Sequence, residues 1–154
     1  MTTTTDDGLD LLNDPVAQQL LVSRQPARVA YTWHDGTPRV VPVWFHWDGT
    51  QIVVGTPPAA PKVRALQEHP SVSVTIDEAD WPYKVLLVRG HAEVTVHDRV
   101  TEEYVAAAER YMGPEAAAQW VAGLGEAPMA RIAITPEQVR VLDFVTRFPS
   151  ALDS

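Results

Sequence analysis

The feature that most constrains the fold is a pair of Asp-Gly dipeptides that separate three segments rich in β-branched and aromatic residues. Asp35-Gly36 lies between ARVAYTW and TPRVVPVWFHW, and Asp48-Gly49 lies between the second of these segments and TQIVVGT. Glycine tolerates the positive φ that a tight hairpin turn requires, so Asp-Gly between such segments is typical of β-hairpins. The sequence therefore predicts a three-stranded antiparallel meander over about residues 27–56.

Along the rest of the chain, strand patterns alternate with short helical ones. A short helix is predicted to begin at Pro15 after an Asp14 N-cap, and another lies between Pro61 and Pro70. Two strands follow, the second long and interrupted by Gly90, as expected at a bulge. Then come a pair of helices and two closing strands, ARIAITP and QVRVLDFV. This order predicts an α+β domain in which mainly antiparallel strands surround a barrel, with a few short helices.

Length and composition indicate one globular domain. The 154 residues are 45% hydrophobic and 21% charged, which suits a single chain that buries its own core. We expect a flexible segment over residues 1–10, a single domain over 11–150 and a tail over 151–154. The start, MTTTTDDGLD, has no basic flank or apolar signal core, and no apolar run approaches the roughly 18 residues that span a bilayer. A cytoplasmic protein with no membrane partner is therefore expected.

Charge and missing residue types exclude several functions. Twenty acidic against twelve basic residues give a net charge of −8, which would repel a nucleic acid backbone. The chain has no cysteine, its five histidines show no metal-ligand spacing, and no nucleophile elbow is present. We therefore predict no metal site, and we assign no catalytic residue.

The predicted strand over residues 39–47 is apolar on both faces. An antiparallel strand with one face in solvent should alternate between polar and apolar residues, so this strand is expected to be buried on both faces. The core would cover one face, and another subunit or a ligand would cover the other. Pro42 has no N–H to donate, so it marks a position where no neighbouring strand needs one. Protection of a plain edge strand is the alternative interpretation.

Three segments carry a family resemblance. PRVVPVWFHWDGTQIVVGT, PPAAPKVRALQEHPSVSVTID and VLLVRGHAEV, in this order, resemble the pyridoxamine 5′-phosphate oxidase-like superfamily, including its flavin and deazaflavin (F420) oxidoreductases. The resemblance covers about residues 25–97, and ARIAITPEQVRVLDF is similar to the family's closing strands. It implies a split β-barrel of the FMN-binding type and a homodimer with FMN or F420, about equally favoured, between the subunits.

The function that this resemblance implies is hydride transfer between the cofactor ring and an unidentified small organic substrate. Family members that oxidise pyridoxamine phosphate carry a C-terminal Arg-Leu-His-type motif, whereas this chain ends TRFPSALDS. That substrate is therefore not expected. The alternative is a non-enzymatic protein that binds or stores a flavin or, less expectedly, haem.

The resemblance also implies which residues contact the cofactor. Four would lie beside the ring: Val41, Pro42, Val43 and Trp44. Four would lie near the phosphate: Arg39, Thr56, Lys62 and Arg64. Two would come from the partner chain: Trp81 and Lys84.

The predicted phosphate site departs from the family pattern. Ala60 and Pro61 stand where the family has a hydroxyl and a basic residue, so the grip on phosphate is expected to be weaker. Lys62 is in the first turn of a helix, where a cation opposes the helix dipole unless it faces an anion. An ordinary solvated lysine is the alternative.

Overall fold

The computed structural model describes residues 7–148. The strands are β1 (Ala27–Thr32), β2 (Pro38–Val43), β3 (His46–Trp47), β4 (Ile52–Thr56), β5 (Ser71–Glu78), β6 (Lys84–His97) and β7 (Met129–Leu142). The helices are α1 (Pro15–Leu21), α2 (Pro61–Glu68), α3 (Glu102–Met112) and α4 (Pro114–Leu124), and a short 3₁₀ helix spans Leu9–Asn13. Within residues 7–148, no helix has the length and apolarity needed to cross a membrane. Residues 1–6 of the predicted flexible segment and the predicted tail over 151–154 lie outside the described residues.

The strands form one antiparallel sheet in the order β2-β1-β5-β6-β7-β4-β3. β2 and β3 lie at opposite edges of this sheet, yet only Trp44 and Phe45 separate them along the chain. Consecutive Cα atoms are about 3.8 Å apart, so the two edges meet within about 11 Å of each other. The sheet is therefore curled into a half-barrel, and the predicted α+β class and split-barrel fold are confirmed.

The predicted meander is wrong in one respect. Both Asp-Gly hairpins form, with φ values of 85° at Gly36 and 100° at Gly49. The strand expected over residues 39–47, however, breaks at Trp44 and Phe45, and its halves join different edges of the sheet. Phe45 is fully buried in the core at this break. Alternation along the sequence cannot distinguish one long strand from two short ones that cross between edges.

The two predicted closing strands are one continuous strand, β7, so that expectation is also wrong. Pro136 lies within β7 opposite Gly90, where the register between β6 and β7 shifts. A Cβ on Gly90 would lie 2.1 Å from the carbonyl oxygen of Thr135, which explains the need for glycine. The bulge predicted at Gly90 is confirmed. Because the ladder is already irregular there, a proline is tolerated inside a long strand.

The core fills the inside of the curled sheet. Alternate side chains of β1, β5, β6 and β7 point inward, and α1 adds the fully buried Leu20 and Leu21. Each fully buried aliphatic side chain of this size stabilises the fold by roughly 1.5–3 kcal/mol. Asp14 caps α1 as predicted, because its carboxylate accepts a hydrogen bond of 2.9 Å from the Val16 amide. α2 packs on β1 and β6, and α3 packs on β3 and β4.

Candidate functional site

Lys62 lies in the first turn of α2, directly after Pro61, which has no N–H to donate. A turn closed by a 3.0 Å hydrogen bond from the Ala60 amide to the Pro57 carbonyl separates β4 from this helix. Ala60 is the N-cap residue and has no side-chain oxygen, so no side chain caps the helix. The Val63 amide donates a hydrogen bond of 3.0 Å to the Ala60 carbonyl, so this helix end attracts an anion mainly through the helix dipole and offers few free N–H groups.

The ammonium group of Lys62 is partly buried, and burial lowers its pKa from the ordinary lysine value. It makes no ion pair or hydrogen bond with any residue between 7 and 148. A cation that is partly withdrawn from water is unfavourable unless a counter-charge accompanies it. The chain has twenty acidic residues, and none of those described supplies that counter-charge.

Thr56 supplies a second polar group without a partner. It is the last residue of β4 and is only 5% exposed. Its hydroxyl forms no hydrogen bond within the described part of the chain. Every fully buried side-chain nitrogen or oxygen in that part of the chain has a hydrogen-bond partner. The Thr56 hydroxyl has none there, so it must be slightly exposed to solvent. We call the part of the half-barrel where β4 ends and α2 begins, which includes Thr56 and Lys62, the open end.

The two arginines predicted near the phosphate are already engaged. Arg64 points outward with its side chain 80% exposed, and its Nε lies 3.3 Å from a carboxylate oxygen of Glu68. Arg39 is exposed and donates a hydrogen bond of 2.6 Å to the Thr37 hydroxyl. Its guanidinium also lies 5.5 Å from the centre of the Trp33 ring. Both are surface cations, and their assignment to the phosphate stays a prediction.

An open cleft of about 490 Å³ adjoins the first turn of α2. Its lining includes the turn before the helix, Arg64, and His34 from the β1–β2 hairpin, but neither Lys62 nor Thr56. The His34 Nδ1 atom lies 2.6 Å from Glu68 Oε2, and this hydrogen bond lowers the pKa of Glu68. The hairpin and α2 are thereby joined across the cleft.

β2, which contains three of the residues predicted beside the ring, is an edge strand. Val41 and Val43 are half-buried, and Val43 packs against the core. Pro42 points to the opposite face, next to Val40, which is 68% exposed. The outer edge and outer face of β2 are therefore uncovered in the single chain. Their burial by a second subunit or a ligand stays a prediction.

Trp44 lies against α3 and α4. Its ring stacks on Tyr111 with centroids 5.2 Å apart and an interplanar angle of 13°. Tyr104 and Trp120 lie 5.9 Å and 6.5 Å from it. The indole therefore already belongs to an aromatic cluster within the chain, and its contact with a cofactor ring is not tested.

Trp81 and Lys84 lie at the other end of the sheet. Lys84 begins β6 and donates a hydrogen bond of 3.0 Å to Gln19. Thr56 lies level with Val96, near the other end of β6, because both residues pair with Ala130 of β7. Twelve residues of strand span about 40 Å when straight, and the bend at Gly90 shortens this only in part. One chain does not bring these residues to the open end, so their participation requires a second subunit and stays a prediction.

One group near the predicted ring site is absent from the sequence-based predictions. Arg110 donates hydrogen bonds to the carbonyl oxygens of Phe45 and, at 2.9 Å, Ser23. Nothing in the linear pattern identifies it, because a cation in the last turn of a helix is expected from the helix dipole alone. Within residues 7–148, no cluster of three or more His, Asp or Glu side chains is arranged to hold a metal ion.

Comparison with known proteins places this geometry in context. Among solved structures, an F420 reductase is 28% identical, with a TM-score of 0.63 over 79% of this chain and 93% of that chain. A conserved hypothetical protein from Mycobacterium tuberculosis is 19% identical, with a TM-score of 0.64 over 94% and 88%. HutZ, a haem storage protein from Vibrio cholerae, is 19% identical, with a TM-score of 0.59 over 84% and 93%. The last two show a shared fold.

No curated protein matches the sequence. The family model described as pyridoxamine 5′-phosphate oxidase matches residues 14–143, which is most of the chain. The curled antiparallel sheet, with helices inserted after β4 and β6, agrees with the split barrel that the sequence resemblance implies. The chain therefore belongs to the pyridoxamine 5′-phosphate oxidase family.

Proposed function

We propose that this protein is an oxidoreductase that binds F420, or failing that FMN, with the cofactor phosphate at Thr56 and Lys62. The observation that carries this proposal is the partly buried ammonium of Lys62, which has no counter-charge within residues 7–148. A bound phosphate would supply that charge at a helix end that already favours anions. The Thr56 hydroxyl, at the end of β4 six residues before Lys62, would donate the hydrogen bond for which the described chain offers no acceptor.

The composition of this site favours F420 over FMN. Ala60 and Pro61 remove a hydroxyl and a basic residue, so Lys62 is the main protein cation at the first turn of α2. The phosphate of F420 is a diester with a single negative charge, whereas FMN ends in a monoester that carries nearly two. One lysine balances the former better. The 28% identity to an F420 reductase supports the same choice.

The edge strand β2 would bind the cofactor ring. Its outer backbone edge faces no other strand of the sheet, and Pro42 leaves one position there without a donor. When bound, the ring would supply hydride transfer, while the outer backbone edge of Val41–Val43 would orient it and Pro42, on the outer face, would exclude water from that side. We assign the protein no proton-transfer residue.

A homodimer is part of this proposal. Trp81 is 69% exposed and lies far along β6 from Lys62, so it would contact a cofactor only across a subunit interface. The uncovered outer face of β2 gives such an interface an apolar surface. Sedimentation equilibrium of the purified protein, with and without cofactor, measures this directly, and a monomer under both conditions would remove Trp81 and Lys84 from the site.

The cofactor is tested by titrating the purified protein separately with F420, FMN and haem and following absorption and fluorescence. We expect binding of F420, weaker binding of FMN and no haem band. The Lys62→Ala variant should lose about tenfold or more in affinity for F420. Arg89→Ala, which removes an exposed cation midway along β6, is the matched control and should bind as the wild type does. A Soret band with haem and no response to F420 or FMN would instead indicate the non-enzymatic haem-binding alternative.

A further inference from the structure

Two residues of α3, Arg110 and Tyr111, which we call the clasp, contact the chain where the edge strand β2 ends. β2 has a strand neighbour on one side only, and after Val43 the chain leaves the sheet through Trp44 and Phe45. Backbone pairing therefore does not determine the position of this crossing. Two adjacent side chains in the last turn of α3, Arg110 and Tyr111, contact it instead.

Arg110 reaches two separate chain segments. Its guanidinium donates one hydrogen bond to the carbonyl of Phe45, at the crossing, and one of 2.9 Å to the carbonyl of Ser23, which precedes β1. The same group lies 4.8 Å from the centre of the Phe45 ring. It forms no ion pair among the described residues, so both directed interactions serve backbone carbonyls. Such charge-assisted hydrogen bonds are stronger than neutral ones.

Tyr111 repeats this arrangement beside Arg110. Its hydroxyl donates a hydrogen bond of 2.9 Å to the Gln25 carbonyl, again just before β1, and its ring stacks on Trp44. Burial raises the pKa of this phenol, so it stays protonated and able to donate. Because Ala27 of β1 pairs with Val43 of β2, the clasp contacts both chains just beyond one end of this strand pair, opposite the hairpin turn.

We propose that Arg110 is a positioning residue for the cofactor wall, defined as Val41–Trp44. By its hydrogen bond to the Phe45 carbonyl, Arg110 fixes the position at which β2 ends. It thereby sets the orientation of the cofactor wall against a bound ring. This inference rests on the proposed function, but it concerns the ring rather than the phosphate. The two can therefore be separated by ligands that lack the phosphate.

The experiment compares affinities for FMN and riboflavin, and for F420 and its phosphate-free deazariboflavin precursor, by fluorescence titration. Arg110→Met replaces the aliphatic stem of the arginine with one of similar length but removes the guanidinium and its hydrogen bonds. We expect it to weaken binding of both members of each pair by about the same factor, roughly tenfold. It should also shift the absorption band of the bound ring. Lys62→Ala should weaken only the phosphate-bearing members and leave the ring band unchanged.

Arg147→Met is the matched control, since Arg147 is also a partly buried arginine but pairs with Asp14 and Asp143, at the end of the sheet where β6 begins. It should leave all four affinities unchanged. All titrations are made well below the unfolding temperature of each variant, so that lost stability alone does not change them. Should Arg110→Met fail to fold, Arg110→Lys, which keeps one donor group, carries the test. It should bind the phosphate-free ligands more weakly than the wild type.

Equal riboflavin and deazariboflavin affinities in the wild type and the folded Arg110 variant would overturn the positioning role while leaving the proposed function intact. The same holds if an Arg110 variant loses affinity only for the phosphate-bearing ligands. Wild-type protein that binds none of the four ligands would overturn both proposals.

Discussion

The two ends of the half-barrel differ in whether their polar side chains have partners among the described residues. At the end where β6 begins, Arg147 lies 2.8 Å from a carboxylate oxygen of Asp14 and 3.1 Å from one of Asp143. Asp143 also accepts backbone hydrogen bonds from the turn that follows it. We call these three residues the paired end. At the open end, Thr56 is buried and Lys62 is partly buried, but neither has a protein partner within the described residues.

The presence or absence of a protein partner distinguishes charges that stabilise the fold from a charge that is available to a ligand. At the paired end, the hydrogen bond from Arg147 lowers the pKa of Asp14, and backbone hydrogen bonds lower that of Asp143. The fold thus favours the charged forms, and these charges stabilise it. At the open end, burial lowers the pKa of Lys62, so the fold disfavours that charge. A charge that the fold alone does not stabilise is expected where a ligand provides the compensation.

The largest expected effect comes from reversing the charge at the open end. Lys62→Glu places a carboxylate beside the proposed phosphate, and like charges in close contact cost several kcal/mol. We expect F420 and FMN affinities to fall by about a hundredfold or more, while riboflavin affinity changes little. Equal losses for FMN and riboflavin would show that Lys62 does not face the phosphate. Fluorescence titration measures all three.

A smaller effect is expected from breaking the paired end. Arg147→Met removes charge-assisted hydrogen bonds to two carboxylates and should lower the free energy of unfolding by about 1–2 kcal/mol. Lys62→Met, the matched change at the open end, should leave the cofactor-free protein as stable as the wild type or slightly more so. Urea denaturation of both variants without cofactor tests the comparison. Equal destabilisation by the two substitutions would remove the distinction between the ends.

The hydroxyl of Thr56 should matter to binding and not to folding. Thr56→Val keeps the shape of the side chain and removes a group with no hydrogen bond among residues 7–148. We expect a loss of about 1 kcal/mol in F420 affinity and no loss in the free energy of unfolding. Calorimetric titration and urea denaturation measure the two quantities. A marked fall in stability with unchanged affinity would contradict the assignment.

The smallest effect is a pH dependence that belongs to the paired end. The pKa values of Asp14 and Asp143 are lower in the folded protein than the ordinary value of about 4. Their stabilising contribution is therefore complete above that ordinary value and disappears as the pH falls through the lower folded values. Denaturation midpoints measured from neutral pH downward should decline less steeply in Arg147→Met than in the wild type. Parallel declines would mean that Arg147 does not stabilise these carboxylates.

The success of the sequence predictions depended on how local the signal was. The Asp-Gly hairpins, the Asp14 cap and the bulge at Gly90 each depend on a few adjacent residues whose backbone needs are specific, and all are confirmed. The break at Trp44 and Phe45 was missed because it depends on which edge each half-strand joins. Arg110 was missed for the same reason, since its acceptors lie 65 and 87 residues away along the chain.

The sequence by itself determined the family, the α+β class and the presence of a lysine at the start of the second α-helix, because these follow from residue types in a given order. Only the tertiary structure decided which of the predicted cofactor residues lie together in one chain. It left Lys62 and Thr56 without partners among residues 7–148, engaged Arg39 and Arg64 at the surface, and placed Trp81 and Lys84 at the far end of β6. The physical reason is that pairing and burial arise from contacts between segments distant in sequence, and these exist only once the sheet has curled.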